Sequence, residues 1–194
     1  LNKSDLSKKL KIATSGPRRK AQLLGINSGF NIVPIRGNIQ TRIDKMTTEN
    51  LDGLIVAKAA LNRLKISHPN IYIFSQEEML PAAAQGAIGI EVIEENLEAE
   101  TINLLQSIND NLTFKATEIE RTVVAALQGN CLSPISALCK ISDQDVELKV
   151  RVSNQKGSEV YDQKEIFKLD NKIEALEGFI EKLISNGAKT LIQK

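Results

Sequence analysis

The chain has 194 residues, 42% of them hydrophobic and 25% charged, with 25 Lys and Arg against 24 Asp and Glu. That composition excludes collagen, a disulfide scaffold and a wholly disordered chain, and the length allows one large or two modest domains. A formal net charge of +1, with five Phe, two Tyr and no Trp, is a poor match for nucleic acid, which calls for a basic face and stacking platforms.

The first half alternates strand and helix signals. Lys11 to Thr14 reads as a short strand, and Pro17 then opens a helix at the position where its missing N–H costs nothing. Ile32 to Ile35 is a second extended run, followed by a helix from Ile39 to Met46. Gly53 to Val56 is continuously apolar, as in a strand buried on both faces, and Ala59 to Leu64 turns helical. Ile71 to Phe74 extends again. Strands regularly separated by helices predict βαβ units on a largely parallel sheet.

From Leu80 the texture changes. Ala82 to Ile90 is small and apolar, and suits a crossing or hinge segment. Glu94 to Ile108 is predicted helical, with an apolar stripe of Leu97, Ile102, Leu104, Leu105 and Ile108. A second helix is expected from about Ala116 to Gln128, stopped by Gly129. Period-two patterning then predicts strands at Ile135 to Ile141 and Val146 to Val152, with a third at Val160 to Phe167. Ile173 to Ile184 reads as a closing amphipathic helix, completing a small α+β unit.

Candidate chemistry concentrates in the arginines. Arg18, Arg19, Arg36, Arg42 and Arg63 fall in the first third, leaving only Arg121 and Arg151 elsewhere. Arginine grips carboxylate or phosphate in a bidentate fork, whereas lysine serves more often as a solvated point charge. Arg18-Arg19 and Arg36-Gly37-Asn38 both lie between a strand and a helix, where parallel sheets gather their ligands. Local pairing with Asp or Glu is the ordinary alternative for any single arginine. Neither a GxGxxG nor a GxxxxGK[ST] motif supports a nucleotide site.

Cys139 alternates with apolar residues on a predicted strand and reads as core, whereas Cys131 sits among the turn formers Gly129, Asn130, Ser133 and Pro134. An inert packed thiol remains open for Cys131 on this evidence. With one histidine, His68, and two cysteines without CxxC spacing, a metal site of His and Cys would be short of ligands, and no metal is expected. No apolar run approaches the ~20 residues of a membrane span, and the first eleven residues do not read as a secretory signal. The expectation is a cytoplasmic protein with no membrane and no nucleic-acid partner.

Six blocks in order, Ile12 to Leu23, Arg36 to Arg42, Asp52 to Leu64, Leu80 to Glu91, Glu120-Arg121 and Gly129 to Ile135, resemble motifs of the porphobilinogen deaminase (hydroxymethylbilane synthase) family. Ile12 to Leu23, IATSGPRRKAQL, is similar to its IGTSSLRRxAQL, and Arg36 to Arg42, RGNIQTR, to its RGNxxTR. Asp52 to Leu64 resembles YDAIILAxAGLxRL, and Leu80 to Glu91 resembles LPAxGQGxxGIE. Glu120-Arg121 matches the AER before the cysteine loop, and Gly129 to Ile135 resembles GGCxxPIG.

The resemblance implies a transferase of porphyrin and heme biosynthesis that joins four porphobilinogen molecules head to tail into hydroxymethylbilane. It implies a dipyrromethane cofactor, bound by a thioether to Cys131. Carried over by position, Thr14, Ser15, Arg18, Arg19, Arg36, Gly37, Asn38, Arg42, Arg63, Gln85 and Gly86 would bind cofactor and substrate carboxylates. The implied fold is a periplasmic-binding-protein-like α/β domain over residues 1–82, and a hinge and returning segment of an incomplete first domain over 83–112. A C-terminal α+β domain with a three-stranded sheet would follow over 113–194.

The chain departs from the family pattern at Gly16 and Pro17, which replace a serine and a leucine, and at Asn130 and Ser136, which replace glycines. The HSxKD motif of the family's first lobe, whose aspartate is the implied general acid, has no counterpart in these 194 residues. The chain is therefore expected to be a fragment, a monomer, and inactive alone, with that lobe supplied in the intact protein. A non-catalytic α/β module that binds a small polycarboxylate is the competing reading.

Overall fold

The computed structural model describes residues 3–93, 95 and 97–193. Three short strands, β1 (Lys11–Ala13), β2 (Asn31–Val33) and β3 (Gly53–Leu54), form a parallel sheet in the order β2-β1-β3. Each strand is followed by a helix: α1 (Pro17–Ile26), α2 (Ile39–Thr48) and α3 (Lys58–Arg63). Successive side chains of a strand point to opposite faces. Accordingly Ile12 enters one cluster with Leu6, Leu23 and Phe30, while Ala13 enters another with Ile35 and Leu51. The central strand is thus covered on both sides, and it is β1 rather than β3 that is buried on both faces.

Two expectations fail here for physical reasons. Gly53 to Val56 contributes only two strand residues, because β3 lies at an edge and pairs with β1 alone. Ile71 to Phe74 is extended but joins no ladder; its order comes from side chains. Tyr72 and Phe74 pack edge to face, ring centroids 4.9 Å apart, and turn toward the Ile12 cluster, leaving Ile71 and Ile73 exposed.

The remainder contains α4 (Ala99–Ser107), α5 (Asn111–Ala126), an antiparallel sheet β4 (Ile135–Ser142), β5 (Asp145–Ser153) and β6 (Val160–Lys168), then α6 (Lys172–Ser185) and α7 (Ala188–Gln193). Val146, Leu148, Val150 and Val152 of β5 meet Ile119 and Val123 of α5 and Phe179 and Leu183 of α6 in one core. The fold is therefore mixed α/β, with one parallel and one antiparallel three-stranded sheet. Glu94 lies outside the described residues, and α4 begins at Ala99, with Glu98 as its extended N-cap residue. The expected α4 stripe is real but uncovered: no residue of α4 is buried. Helix α5 starts earlier than its apolar pattern because the Asp110 side chain accepts a hydrogen bond from Thr113 N at 2.8 Å. The short α7 after Gly187 was not anticipated.

The outer face of the antiparallel sheet rests on α1. The closest approach is at Gly157 in the β5–β6 turn, with φ of +67°, where an added Cβ would lie 2.0 Å from the Ala21 carbonyl oxygen. Gly157→Ala is expected to destabilise the chain by roughly 2–5 kcal/mol, since left-handed backbone costs about 1–2 and overpacking about 1–3. Urea unfolding would measure it, and a change below about 0.5 kcal/mol, the size of an ordinary surface substitution, would show that the two segments part freely.

Candidate functional site

The loop between β1 and α1 is held from several sides. Thr14 is buried and donates its amide to the Val33 carbonyl at 2.9 Å, continuing the β1–β2 ladder. The Ser15 hydroxyl donates to the Ile35 carbonyl and accepts from the Ile35 amide, so its single proton is already committed. Pro17 then starts α1 from Gly16, with extended backbone and no side-chain cap.

Arg18 donates to the Leu80 carbonyl and, at 3.4 Å, to Gln85 Oε1, which draws the crossing segment against α1. Burial, with neighbouring Arg19 second, lowers the Arg18 pKa to about 10. Burial and the charge of Arg42 likewise lower that of Arg19. Both groups stay cationic at neutral pH, so three guanidinium groups share one region at an electrostatic cost.

The countercharge expected of ordinary surface arginines is missing. Among the described residues, Arg18, Arg19, Arg36, Arg42 and Arg63 form no ion pair with Asp or Glu, whereas Arg151 pairs with Asp162. Arg18 and Arg19 also line a cavity of ≈ 1120 Å³, with Gly86 in its wall, Lys58, His68, Gln85, Asp5 and Asp52 among its other polar residues and Ile12, Tyr72 and Phe74 among its apolar ones. Such a mixture of apolar surface and a few convergent polar groups is the usual makeup of a ligand pocket.

The remaining candidate residues do not line this cavity. Arg36 and Arg63 are exposed on the surface. Arg42 donates to the Gly37 carbonyl at 2.7 Å, folding back over the turn that starts α2. Asn38 caps α2 by accepting from Thr41 N and Thr41 Oγ1 at 2.8 and 2.9 Å. Gly37 has φ of +121°, and an added Cβ would come within 2.8 Å of Thr41 Cγ2, so this turn admits only glycine. Asn38 and Gly37 therefore have structural work within the turn that presents Arg36 and Arg42.

The two thiols occupy contrasting settings. Cys131 is exposed in a turn closed by Asn130, whose Oδ1 accepts from Leu132 N at 2.8 Å, and by Ser133, whose Oγ accepts from Asn130 N at 3.0 Å. The asparagine that replaces a family glycine thus fastens the loop. Cys139 is buried, and burial together with Glu120 pushes its thiol up to about 12.

Two buried polar residues were quoted above only as motif letters. Gln22 of α1 bonds both the amide and the carbonyl of Leu80, at 2.8 and 3.0 Å, and reaches Ser136 and Arg151 of the antiparallel sheet. Glu120 of α5 accepts from Ala84 N at 2.6 Å and from Cys139 N at 2.7 Å. A carboxylate between Ile119 and the apolar stripe of α5 is the sequence signal that could have revealed its internal role. Among the described residues, no group of His, Cys, Asp and Glu could hold a metal ion, and no helix is long and apolar enough to cross a membrane.

The fold and the site together define an α/β protein with a cavity lined by two adjacent arginines and a separate, exposed loop thiol. Residues 1–101 match the family description "Porphobilinogen deaminase, dipyromethane cofactor binding domain", and residues 114–178 match "Porphobilinogen deaminase, C-terminal domain". The chain belongs to the porphobilinogen deaminase family. It is 32% identical over 191 residues to the porphobilinogen deaminase of Campylobacter lari, covering 97% of this chain and 61% of that protein. It is 45% identical over 139 residues to that of Clostridium botulinum, covering 72% of this chain and 47% of that protein. The chain thus spans about half to three-fifths of the length of these curated relatives.

Proposed function

We propose that this chain supplies the carboxylate-binding and cofactor-bearing part of a hydroxymethylbilane synthase, a transferase that condenses four porphobilinogen molecules head to tail in porphyrin and heme biosynthesis. The observation that carries the reading is Arg19. This half-buried guanidinium, flanked by Arg18 and Arg42, has neither a hydrogen-bond acceptor nor a carboxylate partner among the described residues. Burying a charge is costly unless it is paired, so an anionic ligand is the natural complement.

A dipyrromethane suits these residues, because each pyrrole carries an acetate and a propionate and the donor set is cationic. When bound, it supplies the pyrrole terminus that substrate extends. Arg18 and Arg19 would hold its carboxylates at the cavity, with Arg36, Arg42 and Arg63 gripping those of the substrate or growing chain. With its amide engaged by Val33, Thr14 would offer its hydroxyl and Ser15 its backbone N–H, and Gln85 and Gly86 would close the hinge side. Cys131 would supply the thioether sulfur.

We read residues 1–82 as a periplasmic-binding-protein-like domain, 83–112 as a hinge and returning segment, and 113–194 as the cysteine-bearing domain of a cytoplasmic monomer. These 194 residues contain no HSxKD aspartate. Turnover by them alone is therefore expected to be very low, since one general acid or base is worth about 10²–10⁴.

Titration calorimetry tests the binding claim. Porphobilinogen should bind, and Arg19→Met should weaken it about 10- to 100-fold, as expected for about 1.5–3 kcal/mol of charge-assisted hydrogen bonding. Equal affinity for simple tricarboxylates would instead favour a non-catalytic polycarboxylate binder.

A further inference from the structure

Gln22 lies one helical turn after Arg18 and three residues after Arg19, so it shares their side of α1. Its amide is buried and engaged four times. The oxygen accepts from Leu80 N at 2.8 Å and from Arg151 at 3.0 Å, and the nitrogen donates to the Leu80 carbonyl at 3.0 Å and Ser136 Oγ at 3.2 Å. Ser136 is buried and stands directly across the ladder from Arg151. It also follows the Cys131 turn by only a few residues, at the start of β4. A single amide therefore ties the arginine-bearing helix, the crossing segment and the root of the cysteine loop.

We propose that Gln22 and Ser136 form a positioning joint that sets the orientation of the Arg18–Arg19 end of α1 relative to the Cys131 loop. The proposal deepens the function given above, because that function needs the carboxylate grip and the anchoring sulfur in one fixed relation. A polar joint suits this task. Hydrogen bonds are directional where apolar packing allows sliding, and a buried network whose members are all satisfied specifies one arrangement. The close backbone approach of Gly157 to Ala21 supplies a second contact between α1 and the sheet. Arg151 completes the joint: Asp162 holds its Nε at 2.8 Å while a terminal nitrogen donates to the Glu77 carbonyl at 3.0 Å. Ser136 stands where the family pattern has glycine, so the link from Gln22 to β4 uses a hydroxyl that this chain adds.

The test is a distance measurement that requires no ligand. Spin labels at Cys131 and at the exposed position of Lys20→Cys report the relation of the loop to α1 by pulsed electron resonance. Buried Cys139 stays unlabelled. The unaltered joint should give one narrow distance distribution. Ser136→Ala, which removes only the hydroxyl, should shift and broaden it, and Gln22→Met, which removes both polar atoms of the amide, should do the same. Ser136→Thr, which keeps the hydroxyl, should restore it. Far-ultraviolet circular dichroism of each variant separates loosening of the joint from loss of fold. Distributions for Ser136→Ala and Gln22→Met that superimpose on that of the unaltered joint would overturn the proposal and leave the proposed function standing. Absence of porphobilinogen binding would do the reverse.

Discussion

Replacing Glu120 by Ala is expected to lower the unfolding free energy by roughly 2–4 kcal/mol, the range for stranding a buried donor together with the lost packing. Strand β4 lies at the edge of its sheet, and Cys139 N donates its hydrogen bond to Glu120 at 2.7 Å instead of to a further strand. The second oxygen holds Ala84 N at 2.6 Å, so one side chain closes a sheet edge and pins the crossing segment. Loss of the first bond leaves a buried amide unmet, and loss of the second frees the segment that carries Gln85. At a drop of about 2–4 °C per kcal/mol for a chain of this size, the thermal midpoint should fall by about 4–16 °C.

The same carboxylate gives a pH signature. Burial raises the Glu120 pKa, and the two amide donors oppose that shift without cancelling it. A raised folded-state pKa means the native chain binds the proton more tightly than the unfolded chain does. The associated stability is fully present below the unfolded carboxylate pKa and is lost as pH rises through the folded value. Glu120→Gln should remove that component of the slope. It should also destabilise, because its –NH₂ group faces one of two donors where the carboxylate presented two acceptors. Equal stability and an unchanged pH slope in Glu120→Gln would refute this account of the staple.

Much of this arrangement is legible in the sequence because local chemistry and tertiary packing agree. Pro17 marks the helix start it was expected to mark, the helix predicted from Ile39 begins there, and the alternation in Val146 to Val152 reports a sheet with one buried face. Legibility fails where order depends on distant partners. Ile71 to Phe74 has the pattern of a strand, yet nothing in it says that no neighbour offers a ladder. The apolar stripe of α4 promises a buried face, yet Ile102, Leu104 and Ile108 lie exposed in this chain, as do Ile88, Ile90 and Ile93 before it. The arginine cluster was visible as composition. That its guanidinium groups have no carboxylate partner among the described residues is a property of three dimensions. Gln22 and Glu120 show the limit most clearly, since each looks like an unremarkable letter in a motif and each joins elements far apart in the sequence.

The contrast between the cysteines leads to the second large effect. A thiolate is the reactive form of cysteine, and a thiol buried beside a carboxylate and raised to about 12 supplies almost none at neutral pH. Cys139 nevertheless matters to the fold, but through its backbone amide, which Cys139→Ala retains. Cys131 is exposed, in a turn fastened by Asn130 and Ser133, where a small electrophile can reach the sulfur without disturbing the core. Cys131→Ala should therefore abolish covalent attachment while leaving stability within about 0.5 kcal/mol, as for other exposed substitutions.

Intact-mass spectrometry of the protein, produced with the family's first lobe supplied and porphobilinogen present, tests this attachment directly. The chain should carry an added mass of two condensed pyrroles, absent in Cys131→Ala and retained in Cys139→Ala. An unmodified chain under those conditions, or an adduct that survives Cys131→Ala, would contradict the assignment of Cys131 as the cofactor anchor.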